Sequence, residues 1–440
     1  MDTPSLRLPA GMRDFAPRAA AARRQIAESL LTVFESWGFY RVITPAFEYE
    51  DVLGLGLGSD ARAAALKFVE PSSGRVVALR PDITPQIARL IATRFRDEPG
   101  PVRLCYEGTV LRLERQARSQ RELIQAGVEL AGVPSPEGDA EMIALGVAAL
   151  SAAGLGDPRF ELTIDLGHLG LMREILAALG LPAGAGLALR AAVAKRDPVA
   201  LEEAFRAADA AGSSEAAGRR RGRGPTAAVR RFLERLPELS GDPAILSRAE
   251  RQAPSAAIRR AIAELRAIVD AVMARAFPVR LHVDLAEVRG FDYYTGLRFQ
   301  GFVVGSAEPV LQGGRYDDLL GRYGQPRPAV GFAVDVEAAA AALESHPDPS
   351  AGLHPLQRIP GVRVDSVADG PVLIVGEIQA AARLAVQLRA RGRRAAPLMI
   401  PLSENEIEEY AVRWGYREIL SSSGPAPRQA RRSVPKPRKK

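Results

Sequence analysis

Apolar positions along the chain follow two rhythms. Ile26, Leu30, Val33, Phe34 and Trp37 recur at spacings of three and four, which puts them on one helical face. Pro17 suits the first turn of that helix and Gly38 its end. Residues 39–49 then read as a strand, in which Pro45 implies an edge, a bulge or an interface. Short apolar runs at 67–69 and 76–79 flank Ser72, Ser73 and Gly74 and predict a hairpin. Thr84 followed by Pro85 predicts a helix reaching about residue 96. Strands are predicted at 103–106, 110–114 and 122–130. Helices alternate with strands, but several strands run consecutively. The predicted class is therefore α+β, an antiparallel sheet flanked by helices, rather than a doubly wound fold.

The second half changes character. Residues 183–278 are rich in Ala, Arg and Glu with helical periodicity, broken by a Gly/Ser/Arg stretch at 212–225. Strands resume at 281–285 and 292–304, and a helix is predicted at 335–344. Pro347, Pro349, Pro355 and Pro360 give residues 346–370 a linker composition. Residues 371–421 carry a β-α-β-α-β pattern, with segments at 372–375, 378–391, 395–400, 404–414 and 418–420. So short a module is expected to dock on the body. The expected organisation is a core of 1–182 and 279–345, a helical insertion at 183–278, a linker at 346–370, a small α/β module at 371–421 and a basic tail at 422–440.

Charge adjusts this picture little. The 440 residues carry a net charge of +7, which at first suggests a nucleic-acid binder. All of it resides in Arg428, Arg431, Arg432, Lys436, Arg438, Lys439 and Lys440, so the body is neutral and nucleic acid is not the expected partner. One cysteine, Cys105, and four scattered histidines exclude a disulfide framework and argue against a metal centre. No apolar run approaches the roughly 20 residues of a membrane helix. A soluble cytoplasmic protein without a cofactor is expected. Gly54, Gly56 and Gly58 do not complete a dinucleotide-binding fingerprint, and no nucleophile elbow or Ser-His-Asp set is visible.

Four segments concentrate charged and phenolic groups at strand ends or glycine turns. They are Leu79-Arg80-Pro81-Asp82-Ile83-Thr84-Pro85-Gln86; Tyr106 to Glu114 with Gln125-Ala126-Gly127-Val128-Glu129; Arg289-Gly290-Phe291-Asp292-Tyr293-Tyr294; and Gly313-Gly314-Arg315-Tyr316-Asp317. Together, and in this order, they resemble the catalytic domain of histidyl-tRNA synthetase, a class II aminoacyl-tRNA synthetase, over about residues 6–343. Arg112 and Glu114 match its motif 2, and the last two segments match its histidine-specific motifs.

The resemblance implies a class II synthetase-like sheet and a pocket for free histidine. Asp82 and Thr84 would hold the α-amino group with Gln125 nearby, and Arg289 or Arg112 would face the carboxylate. Glu129 and Tyr294 would read the imidazole with Tyr293 beside them. Asp82 stands where the synthetases carry Glu. The adenylation apparatus departs further. The motif 3 arginine is replaced by Ala338, the loop 115–121 is shortened, and the C-terminal module is about half the usual anticodon-binding domain. No catalytic residue is therefore assigned. This profile, with the 79–89 and 165–170 segments, is similar to a paralogous family, the regulatory subunits of ATP phosphoribosyltransferase.

That likeness implies a non-catalytic subunit acting with a short-form catalytic subunit in the first step of histidine biosynthesis. L-Histidine would be the feedback effector, and a homodimer would sit within a hetero-oligomer. An active histidyl-tRNA synthetase and an RNA-binding pseudo-synthetase are the alternatives.

Overall fold

A computed structural model describes residues 7–113, 120–181, 183–215, 225–275, 279–289, 293–346, 371–423 and 428–429. Its main sheet runs, edge to edge, β1 (Tyr40–Arg41), β5 (Val102–Leu111), β6 (Glu122–Ala131), β12 (Ala329–Asp335), β11 (Leu311–Arg315), β10 (Leu297–Phe302), β7 (Thr163–His168), β9 (Arg280–Asp284) and β8 (Ser240–Gly241). Only β1 with β5 and β7 with β9 pair in parallel. The architecture is the α+β antiparallel sheet with helices that the patterning implied.

Alternation along the strands gives the sheet two unlike faces. Ala126, Val128 and Leu130 of β6, with Phe332 and Val334 of β12, enter the principal core. Helices Pro17–Ser36, Glu137–Leu150 and Val336–Ser345 cover that face, and Leu30, Phe34, Ile143 and Ala339 are wholly buried there. The helical stretch from Glu137 to Leu155 is long and apolar enough to cross a membrane, but 72% of it is buried inside the protein. The other face is polar. Register sets Gly127 opposite Ala333, Ala333 opposite Gln312, Gln312 opposite Gln300, Gln300 opposite Asp165, and Asp165 opposite His282, a row crossing six strands, with Gln125 opposite Asp335 beside it on the same face.

The structure differs locally from the sequence expectation. The strand expected over 39–49 is divided between two sheets. Beyond β1 the chain leaves to form β2 (Phe47–Tyr49) in a small sheet with β4 (Val76–Leu79) and β3 (Lys67–Val69). Pro45 offers no N–H to a ladder. The Thr44 and Pro45 carbonyls instead accept from Arg80 Nη1, at 3.0 and 3.4 Å. The expected pair of strands at 103–106 and 110–114 is one strand, β5, continuous through Gly108. The Arg80 guanidinium fills the space a side chain at residue 108 would need.

Residues 183–278 contain helices Ala183–Lys195, Pro198–Glu215, Pro225–Arg235, Ile245–Gln252 and Ala256–Met273, and also the edge strand β8, too short to leave a periodic signal. The arginine-rich 219–223 run, Glu114 with residues 115–119 of the 115–121 motif 2 loop, residues 290–292, most of the 346–370 stretch and the tail beyond 429 lie outside the described residues.

The C-terminal module has parallel strands β14 (Ala395–Pro397), β13 (Val372–Val375) and β15 (Glu418–Ser421), with β16 (Arg428–Gln429) antiparallel to β15. Helices Ile378–Ala390 and Glu404–Arg413 complete it. Leu373, Ala396, Tyr410, Trp414 and Tyr416 share a buried cluster with Ile87, Leu104 and Leu319 of the body. A buried ion pair fastens this contact. Arg103 holds Glu141 at 2.9 Å and also donates to the Pro397 carbonyl at 3.1 Å. Gly38, at φ +83°, ends the first helix where a side chain would strike Ala396 of the module.

Candidate functional site

The polar face of the sheet holds a cavity of about 120 Å³ lined by Asp82, Thr84, Arg112, Gln125, Tyr293, Tyr294, Gln312, Tyr316 and Asp335, with Gly313 and Gly331 in its floor. Six of the eight residues singled out from the sequence thus stand around one space. Strand glycines make the room. A Cβ at Gly127 would overlap the Tyr106 hydroxyl, one at Gly314 the Tyr294 ring, and one at Gly331 the Glu129 carboxylate.

Glu129 lies beneath the lining. It is 2% exposed, and its oxygens receive Thr84 Oγ1 at 2.6 Å, the Tyr106 hydroxyl at 3.2 Å and the Tyr316 hydroxyl. Burial, reinforced by the charge of Asp82, pushes its carboxyl well above the usual range. Burial also raises the phenols, Tyr293 strongly and Tyr294 to about 12, so both remain protonated donors near neutrality.

Asp82 is held by the backbone it precedes. Its Oδ1 accepts from Ile83 N at 2.7 Å and Thr84 N at 3.4 Å, at the start of helix Thr84–Arg94. Arg112 donates from Nε to the Pro81 carbonyl at 2.7 Å, which fixes the guanidinium beside the cavity. Asp335 also lines the cavity and caps helix Val336–Ser345 through Glu337 N and Ala338 N at 2.9 and 3.0 Å. Burial raises its pKa, and the Arg112 charge acts in the opposite direction.

Arg289 is not in the lining. Its Nε lies 3.0 and 3.1 Å from the two Glu287 oxygens, and its side chain is 62% exposed. Among the described residues, Gln125 Oε1 and the Tyr293 hydroxyl are buried at the cavity without a hydrogen-bond partner. Such groups are uncommon in folded proteins and mark a place where a ligand or water completes the bonding.

Sequence reasoning missed Tyr106, Tyr316, Gln312 and Asp335 as site residues. Tyr106 and Tyr316 stood inside the quoted motifs, but only the fold aims both hydroxyls at Glu129. It also missed a chain on the same face. Asp165 Oδ1 lies 2.8 Å from His282 Nδ1, and His282 Nε2 lies 3.2 Å from Ser240 Oγ. None of these three lines the cavity. At the motif 3 position Ala338 packs against the principal core, while the preceding Glu337 is engaged by Arg23 at 2.8 Å. Ala338 itself supplies no guanidinium at this position.

A family model described as histidyl-tRNA synthetase matches residues 11–339. A curated relative from Geobacter sulfurreducens, an ATP phosphoribosyltransferase regulatory subunit, is 38% identical across 95% of this chain and 88% of its own length. The chain belongs to the ATP phosphoribosyltransferase regulatory subunit family. A further regulatory subunit, from an Anaeromyxobacter species, is 43% identical over 77% of this chain and 93% of that protein. A solved ATP phosphoribosyltransferase regulatory subunit/histidyl-tRNA synthetase from Bacillus halodurans shares the fold, with a TM-score of 0.65 over 96% of this chain and 99% of that one at 24% identity. The synthetase-like sheet and the regulatory-subunit family thus coincide in one chain.

Proposed function

We infer that the cavity binds L-histidine and that the chain acts as the non-catalytic regulatory subunit of an ATP phosphoribosyltransferase. The observation that carries this reading is the pairing of opposite charges with orphaned polar groups in one small space. Asp82 suits an ammonium and Arg112 a carboxylate. Gln125 Oε1 and the Tyr293 hydroxyl offer the bonds a polar side chain needs. Glu129 orders the floor through three hydroxyls, and Tyr294 stands over it. Arg289 joins only by leaving Glu287.

Catalysis would belong to a separate short-form subunit that condenses ATP with phosphoribosyl pyrophosphate. Histidine, the pathway's end product, would bind one state of the complex better than the other. A coupling of about 1–3 kcal/mol suffices for feedback. Ala338 in place of a phosphate-binding arginine supports a regulatory role, and histidine-dependent ATP–pyrophosphate exchange is the reaction this reading excludes. A homodimer inside the hetero-oligomer is supported by exposed apolar side chains on and beside the small sheet, with Ile43 88% and Val69 61% exposed.

Isothermal titration of the chain with histidine tests the pocket. Saturable binding that is lost in Asp82→Ala is expected, and absence of binding both to the chain and to the assembled complex would refute it.

A further inference from the structure

Away from the histidine-type cavity, the polar face of the main sheet carries a hydrogen-bonded row that the proposed regulation does not use. Asp165 Oδ1 lies 2.8 Å from His282 Nδ1, and His282 Nε2 lies 3.2 Å from Ser240 Oγ. Hydroxyl, imidazole and carboxylate thus stand in the order, and at the separations, of a nucleophile, its base and the group that orients the base. The three residues are far apart in the chain, so no local motif announces them.

Three adjacent strands build the row. Asp165 of β7 and His282 of β9 are direct partners in a parallel pair, so their side chains share one face. Ser240 of β8 is opposite Asp284, two residues beyond His282, and lies on that face too, diagonal to the imidazole. An ionised carboxylate only accepts, so the ring proton sits on Nδ1 and Nε2 keeps its lone pair toward the Ser240 hydroxyl. The Asp165 side chain is 19% exposed and the imidazole 38%, so the orienting group is sheltered while a small solute reaches the base. Asp284, directly across from Ser240, is held by Arg196 at 2.6 Å, and that guanidinium offsets its charge beside the nucleophile. The edge also frees a backbone donor. Leu285 N donates to the Leu239 carbonyl at 3.2 Å, which makes Ser240 and Asp284 the non-hydrogen-bonded type of pair. The Ser240 N–H therefore points away from β9, off the edge where β8 is the last strand. There it can receive charge that develops on an acyl oxygen.

We propose that Ser240 is an acyl-accepting nucleophile, with His282 as its base and Asp165 as the positioning residue, and that the chain hydrolyses small activated esters there. Ser240 Oγ bonds to the acyl carbon as its proton passes to His282 Nε2. The bond from that carbon to the leaving oxygen then breaks, and His282 returns the proton to the departing alcohol. Water, giving a proton to the same nitrogen, cleaves the Ser240 ester and releases the carboxylic acid, and the serine recovers its proton from His282. No group is oxidised or reduced. Ser240 is half-buried on a strand edge, which suits short, unhindered acyl groups. The row uses none of the residues assigned to histidine, and the assignment stands without that reading.

The test treats the full chain with diisopropyl fluorophosphate, maps the adduct by mass spectrometry, and follows p-nitrophenyl acetate hydrolysis in parallel. An adduct on Ser240 is expected, with hydrolysis that falls roughly a hundredfold in Ser240→Ala and in His282→Gln. Asp165→Asn should lower kcat with KM unchanged, a split that loss of folded protein alone would not reproduce through an unchanged melting temperature. The adduct is read on the wild-type chain, so the proposal stays testable where a variant folds poorly. Absence of an adduct on Ser240 would overturn it. So would hydrolysis that survives Ser240→Ala but not His282→Gln, which would make the imidazole itself the nucleophile.

Discussion

Thr84 Oγ1 donates to Glu129 Oε1 at 2.6 Å across a floor that solvent barely reaches. This bond joins the first turn of the Asp82 helix to the centre of the sheet, so the cavity wall and floor move together. Because burial holds the Glu129 carboxyl above its ordinary value of 4.5, the folded state binds this proton more tightly than the unfolded state. The stability from that proton is fully present below about pH 4.5 and is lost as pH rises through the elevated value. Thermal unfolding from pH 4.5 upward should therefore show wild type falling progressively below Glu129→Gln. A constant difference between the two across that range would contradict the assignment.

Gly331 faces Glu129 across the β6–β12 ladder. A methyl group there would overlap the carboxylate and the Val128 carbonyl. Gly331→Ala should destabilise the protein by about 1–3 kcal/mol through overpacking and abolish detectable histidine binding. Denaturant unfolding and titration on the same sample check both effects.

Asp82 and Arg112 are the two lining charges assigned to the ligand's termini. Asp82→Asn and Arg112→Ala should each weaken histidine about 10–100-fold, from loss of a charge-assisted bond of roughly 1.5–3 kcal/mol. Arg112→Lys should recover little, because an ammonium cannot both donate to the Pro81 carbonyl in this geometry and present a planar fork. Histamine, which lacks the carboxylate, should be insensitive to Arg112→Ala. Equal loss for histidine and histamine would place Arg112 elsewhere in the mechanism.

The Arg103–Glu141 pair lies under the C-terminal module, with side chains 1% and 3% exposed. Glu141→Ala strands a buried guanidinium and should destabilise by about 3–5 kcal/mol. Hydrogen exchange should show the loss of protection concentrated in Val372–Val375 and the module helices. Loss spread evenly over the main sheet would mean the pair serves the core alone.

Much of this was legible in the chain because the determinants are local. The amphipathic face of Ile26 to Trp37, the hairpin around Ser72 to Gly74 and the Thr84-Pro85 helix start are written in consecutive residues. The motifs around Asp82, Arg112, Gln125 and Tyr293 fell on strand ends and turns that meet in one cavity. What stayed hidden depends on partners far apart in sequence. Arg80 holds open the path of β5 past Gly108 by filling space 28 residues earlier in the chain. Glu129 became a floor residue only when Tyr106 and Tyr316 closed over it, and Arg289 found Glu287 two residues away. β8 is two residues long and carries no periodicity to detect.

The most direct measurement is a reconstituted assay of phosphoribosyl transfer from phosphoribosyl pyrophosphate to ATP. It uses a purified short-form catalytic subunit with and without this chain, across a range of histidine concentrations. The account predicts activity that rises on adding the chain and falls with histidine, and a histidine response displaced at least tenfold by Asp82→Asn while activity without histidine is retained. A catalytic subunit that is fully active and equally histidine-sensitive alone would contradict it.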